Sequence, residues 1–107
     1  MDSKKEKMYK VEFTEDFVEE LNEIYEYISQ KLYANKAAID LLTKTIDKIF
    51  ELETYPEMYM KLKKIDKLKN IYHRMVVNNY VVLYTIDYEN NKVYISHIVY
   101  GKSNYLK

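Results

Sequence analysis

The side chains of this sequence that could do chemistry are cations, phenols and two imidazoles. There is no cysteine, so there is no thiol nucleophile, no disulfide and no thiolate metal ligand. Two well-separated histidines do not make a zinc site, and a single glycine does not make a phosphate-cradling loop. The sequence therefore predicts neither a catalytic metal nor an organic cofactor. Arg74 is the only guanidinium in the chain. It lies at the end of a basic stretch containing Lys61, Lys63, Lys64, Lys67 and Lys69, which Asp66 alone opposes. Lys102, Tyr100 and Tyr105 surround the one glycine, Gly101, and His97 lies just before them. Such groups can hold phosphate or carboxylate charge and move protons. The candidate catalytic residues are thus Arg74, Lys102, Tyr105 and His97, with the lysines of 61–69 as a binding segment.

Each of these has a plainer reading. A charge run is often a solvated face. Arg74 could pair with an acid of the first helix, which is worth little at a surface. His97 follows Val93 and Ile95 at strand spacing, a phase that suits a core-facing or partly buried ring. His73 and Arg74 are adjacent on an expected strand, so they should point to opposite faces. One tyrosine near a site carries little weight in a chain that has thirteen.

The elements that must position these residues follow from the periodicity. Tyr9 to Phe13 alternates as a half-buried strand. Thr14 suits a helix N-cap, with Glu15 and Asp16 in the first turn where the dipole favours anions. Phe17, Val18, Leu21, Ile24, Tyr25, Ile28 and Leu32 then form a helical stripe. Asn35 can cap a second helix with Ala38, Leu41, Leu42, Ile46, Ile49 and Leu52 on its inner face. Pro56 should end that helix near Thr54 or Tyr55. The stretch 57–70 reads as a loop with room for a short strand or turn. Beyond it the period becomes two. Ile71–Val77, Tyr80–Asp87 and Lys92–Tyr100 are strands, joined by tight turns at Asn78-Asn79 and at Glu89-Asn90-Asn91. The expected fold is α+β, in the order β-α-α-β-β-β, with a helical hairpin packed on a twisted antiparallel sheet. The first strand joins at an edge or beside the last strand, and the pattern does not say which.

At 107 residues, 48% of them apolar, the chain should form one domain with one modest core, with residues 1–7 disordered. No apolar run is long enough to span a bilayer, and the charged N-terminus leads into no signal core, so a cytoplasmic protein is expected. The net charge is zero but polarised. Residues 11–30 hold seven acids and no Lys or Arg, whereas 61–74 is basic. Zero net charge argues against strong nucleic-acid binding and leaves a local basic groove open.

The C-terminal third, "YHRMVVNNYVVLYTIDYENNKVYISHIVYGKSNY", resembles the RelE/ParE toxins of type II toxin–antitoxin systems. The resembling features are Arg74 on the first meander strand, "NYVVLY" at Asn79–Tyr84, "DYENN" at Asp87–Asn91 and "VYGKSNY" at Val99–Tyr105. The opening strand and helix, "YKVEFTEDFVEELNEIYEYI", and the place of Pro56 extend the likeness over residues 8–105. The resemblance implies a growth-arresting toxin held inactive by a cognate antitoxin. It also implies two mechanisms: ParE-like members act on DNA gyrase, and RelE-like members cut mRNA on the ribosome.

Metal-free RNA cleavage needs a base for the 2′-hydroxyl, cations for the phosphorane charge and an acid for the leaving oxygen. The well-characterised nuclease branch supplies them with several Lys and Arg and a Tyr. Two of its arginine positions are here Val81 and Ser103. Their loss, with zero net charge, favours a ParE-like inhibitor of a protein target. The basic segment, His97 and the tyrosines favour the endoribonuclease alternative. A degenerate, non-toxic member that only binds antitoxin is the third reading. The expected partner is an antitoxin chain covering hydrophobic and basic surface together, and no membrane. Homodimer and hetero-oligomer with antitoxin both remain open.

Overall fold

A computed structural model describes residues 8–62 and 71–102. Its elements are β1 (Lys10–Phe13), α1 (Glu15–Glu26), α2 (Asn35–Phe50), β2 (Met60–Lys61), β3 (His73–Val77), β4 (Tyr80–Asp87) and β5 (Lys92–Tyr100). The two helices pack on one face of a five-stranded sheet of order β1-β5-β4-β3-β2. This is the expected α+β fold. The meander β3-β4-β5 is antiparallel, and β2 adds to it antiparallel. β1 lies at the sheet edge beside β5 and parallel to it, so the sheet is mixed and not antiparallel throughout. The helical hairpin returns the chain and β3-β4-β5 reverses it twice, which leaves β5 running in the direction of β1.

Thr14 shows how a local signal becomes a tertiary joint. Its Oγ1 accepts the Phe17 amide at 3.1 Å, capping α1. The same hydroxyl donates toward the carbonyls of Ile95 (3.1 Å) and Ser96 (3.0 Å), fastening the helix start to β5. Phe17, 1% exposed, then enters the core. Burying a side chain of that size stabilises by roughly 1.5–3 kcal/mol.

The α-helical geometry of α1 ends at Glu26, earlier than its stripe suggested. Tyr27–Lys31 widens into a π-helical turn, closed by the Leu32 amide on the Tyr27 carbonyl at 3.2 Å. The cap of α2 is Ala34, without a side-chain bond, and Asn35 is the first helical residue and not the cap. A 3₁₀ turn, Glu51–Glu53, follows α2 before Pro56. Asn78 (φ 55°) and Asn91 (φ 53°) take the left-handed conformation in the two meander turns, which asparagine tolerates well.

The core between helices and sheet is built from Phe17, Leu41, Ile49, Leu52, Met75, Val77, Val82, Tyr84, Val93, Ile95 and Ile98. The apolar run Val81-Val82-Leu83-Tyr84 is buried at every residue and lies on the central strand of the sheet. The expected basic segment at Lys63, Lys64, Lys67 and Lys69 lies outside the described residues, as do Tyr105 and the expected disorder of 1–7.

Candidate functional site

Three meander strands carry the candidate residues in one row. Arg74 on β3 is paired with Leu83 on β4, and Leu83 is paired with His97 on β5. Alternation puts this row on the sheet face away from the helices. On the helix side of the same strands lie Met75, Val82 and Ile98, all essentially fully buried. Two strand spacings separate the Arg74 and His97 backbones, about 10 Å.

His97 reaches that row by a bulge. The register shifts between Leu83 and Tyr84: Tyr84 pairs with Ile95, Leu83 pairs with His97, and Ser96 is the extra residue. The phase that grouped His97 with Val93 and Ile95 breaks at this bulge, so the ring is partly buried and not core-facing. Beyond the bulge Ile98 takes the core position, and the His97 side chain is 34% exposed.

Its Nδ1 lies 3.1 Å from Oε2 and 3.3 Å from Oε1 of Glu20 on α1. Facing a carboxylate, Nδ1 is placed to donate its hydrogen to Glu20. Glu20 Oε1 also accepts the Ile98 amide at 3.0 Å, which caps the β5 edge beyond the end of β1. Glu20 is the site residue that sequence reasoning missed. It was one of seven acids in a run, and its partner is 77 positions away.

Arg74 is half-buried, and its Nε is buried without a hydrogen-bond partner among the described residues. The ion pairs found among those residues are Lys10–Glu12, Lys36–Asp40, Lys92–Glu12 and His97–Glu20. None involves Arg74; the α1 acid that reaches this row, Glu20, pairs with His97 instead.

His73 points the other way, into the core. It is 6% exposed, and its ring stacks on Tyr84 with centroids 5.1 Å apart. Burial, and then the nearby Lys61 charge, hold its pKa below the ordinary 6.5. The Tyr84 hydroxyl donates to the Pro56 carbonyl at 2.8 Å, and burial pushes its ionisation well above the usual tyrosine range. Lys61 is exposed on β2 opposite His73, so it belongs to a different row from Arg74.

Lys102 is exposed just past β5. Gly101 positions it: the Gly101 amide donates to the Asn79 carbonyl at 2.7 Å, and a Cβ there would lie 3.0 Å from that oxygen. Val81, where the nuclease branch places an arginine, is 1% exposed. The structure thus brings Arg74 and His97 onto one row, adds Glu20, and places Lys61 and Lys102 elsewhere. Among the described residues no three His, Asp or Glu side chains gather as a metal site.

The fold is similar to that of solved toxin–antitoxin proteins. A family model, the ParE toxin of type II toxin–antitoxin system parDE, matches residues 11–105. A chain of the chromosomal ParDE TA system from P. aeruginosa superposes with a TM-score of 0.69 at 10% identity, covering 87% of this chain and 96% of that one. A chain of the archaeal RelE–RelB complex from Pyrococcus horikoshii OT3 gives 0.62 at 17% identity, covering 89% and 97%. A chain of the RelBE2 toxin–antitoxin complex from Mycobacterium tuberculosis gives 0.60 at 19%, covering 92% and 97%. No curated protein matches the sequence. With a family model spanning nearly its whole length and the matching fold, the chain belongs to the ParE toxins of type II toxin–antitoxin systems, within the RelE/ParE superfamily.

Proposed function

We propose that the chain arrests growth by ParE-like inhibition of a protein target such as DNA gyrase, and that a cognate antitoxin holds it inactive. The observation that carries this reading is the poverty of cations on the Arg74 face among the described residues. Val81 is buried where a phosphate clamp would stand, Lys61 and Lys102 lie off the row, and Arg74 is the one guanidinium. A single arginine beside apolar strand residues suits an anchor in a protein interface, where Arg is over-represented among hot spots. It suits a multi-cation transition-state cradle poorly. The relatives named for ParDE and RelE–RelB are toxin–antitoxin pairs, which supports an antitoxin as the resting partner.

One observation favours the endoribonuclease reading. Arg74 and His97 share a row, and Glu20 holds the ring through Nδ1. That set could bind one phosphate and accept one proton. Induced expression separates the mechanisms. Gyrase-dependent DNA damage with intact mRNA supports the protein-target reading. Translation arrest with cleaved mRNA overturns it in favour of the nuclease. Equal growth with and without the antitoxin identifies a degenerate, non-toxic member.

A further inference from the structure

A separate cleft lies where the turn after α2 meets β1 and the end of β4. It encloses about 370 Å³ and is lined by Tyr9, Thr54, Tyr55, Pro56, Glu57 and Met58. Tyr88 borders it: its ring meets that of Tyr9 edge-on, with centroids 6.4 Å apart, and its hydroxyl donates to Glu57 Oε2. That bond fixes the Glu57 carboxylate at the rim, and the same hydrogen bond, with burial and the carboxylate charge behind it, pushes the Tyr88 phenol up to about 12. Tyr55 and Met58 stay more than half exposed, so apolar surface is left open here.

The chemistry of the lining selects the ligand. Among the described residues no lysine or arginine lines the cleft. A neighbouring depression, lined by Thr85, Ile86, Asp87, Tyr88, Glu89 and Tyr94, adds two more carboxylates and again no cation. Asp87 is satisfied by the Asn90 amide and side chain at 3.1 and 2.9 Å, whereas Glu89 lies exposed. An anion would be repelled. A purely apolar side chain would desolvate Glu57 without compensating it. An apolar stem with a cationic head satisfies both, because tyrosine faces attract cations and a carboxylate waits beside them.

We propose that this cleft is a binding site for an arginine or lysine side chain of a partner protein, independent of the Arg74 row. Arginine fits better, since its planar head stacks on rings while its fork reaches a carboxylate. The site gives this toxin a second point of protein contact, of charge opposite to the Arg74 face. Loss of the Arg74 function would leave it intact, and the reverse holds too.

The test is a titration of the full chain, followed by NMR of its tyrosine rings. The probes are N-acetyl-arginine methylamide, its norleucine analogue as a neutral stem, and its glutamate analogue as an anion. Arginine should shift the rings of Tyr9, Tyr55 and Tyr88, and the other two probes should shift them far less. Glu57→Gln and Tyr55→Ala should each weaken arginine binding about three- to fivefold. Asp47→Asn, on the exposed face of α2, should leave it unchanged. Norleucine binding as well as arginine, or Glu57→Gln without effect, would overturn the proposal. Melting curves accompany both variants. Should Tyr55→Ala lower the melting temperature, Glu57→Gln decides, because it removes charge and keeps shape.

Discussion

Replacing Arg74 by methionine should abolish toxicity without weakening the fold. The reasoning starts from what Arg74 touches. Its Nε is buried and has no partner among the described residues, and no ion pair found among those residues uses it. An unsatisfied buried donor costs about 1–3 kcal/mol. Methionine keeps an unbranched apolar stem beside Leu83 and removes that donor, so packing is largely retained. The net expectation is unchanged stability or a gain of about 1 kcal/mol, which for a domain near this size raises the melting temperature by about 4–8 °C. Arg74→Lys should also reduce toxicity, since an ammonium does not reproduce the forked contact. The assay pairs growth after induction with thermal melting of the purified variants, and pull-down of the antitoxin controls for folding. A drop of several degrees with Arg74→Met would show that the guanidinium supports the fold. Full toxicity in both variants would remove Arg74 from the site.

Three further outcomes follow from the same geometry. Tyr84→Phe strands the buried Pro56 carbonyl while leaving the ring on His73, and should cost about 1–2 kcal/mol in chemical denaturation; no change would mean that the carbonyl finds another donor. Gly101→Ala pushes a methyl 3.0 Å from the Asn79 oxygen and should cost about 1–3 kcal/mol, visible as a lower melting temperature, because a backbone carbonyl cannot rotate away. His73 has a folded pKa below its unfolded 6.5, so the unfolded chain binds the extra proton first. Its contribution is complete above pH 6.5 and is lost as pH falls through the lower folded value. His73→Phe should therefore flatten the acid side of the stability profile, and an unchanged slope would place the titration in another group.

The proposed gyrase-type mechanism and the proposed arginine-binding cleft make different demands on the same molecule. A toxin acting through Arg74 needs the face away from the helices. A partner that inserts a cation beside Tyr55 occupies the turn end of β4. Variants at one site are thus expected to leave the other working, which makes the two proposals separable in a single panel of proteins.

The sequence by itself determined the elements, because their signals are local. Thr14 with Glu15 and Asp16 starts α1, Pro56 bounds the helical hairpin, and two Asn-containing turns divide the three long strands. The alternation of His73 and Arg74 likewise placed one in the core and the other on the far face, since period two is a property of any strand. What needed the tertiary structure was every feature that depends on pairing between distant segments. β1 is four residues long, and nothing in "KVEF" states whether it lies parallel or antiparallel to β5; the directions of the intervening elements decide it. The bulge at Ser96 is invisible in a pattern of alternating residues, because it arises from register against β4, and it alone moves His97 out of the core phase. Glu20 was one acid among seven until α1 docked on β5 and set it against His97 and the Ile98 amide. The cleft around Glu57 gathers residues from the N-terminal segment, the turn after α2 and the end of β4, whose separations in sequence carry no periodic signal. Local propensity is written in neighbouring residues, whereas a site is written in which neighbours the fold brings together.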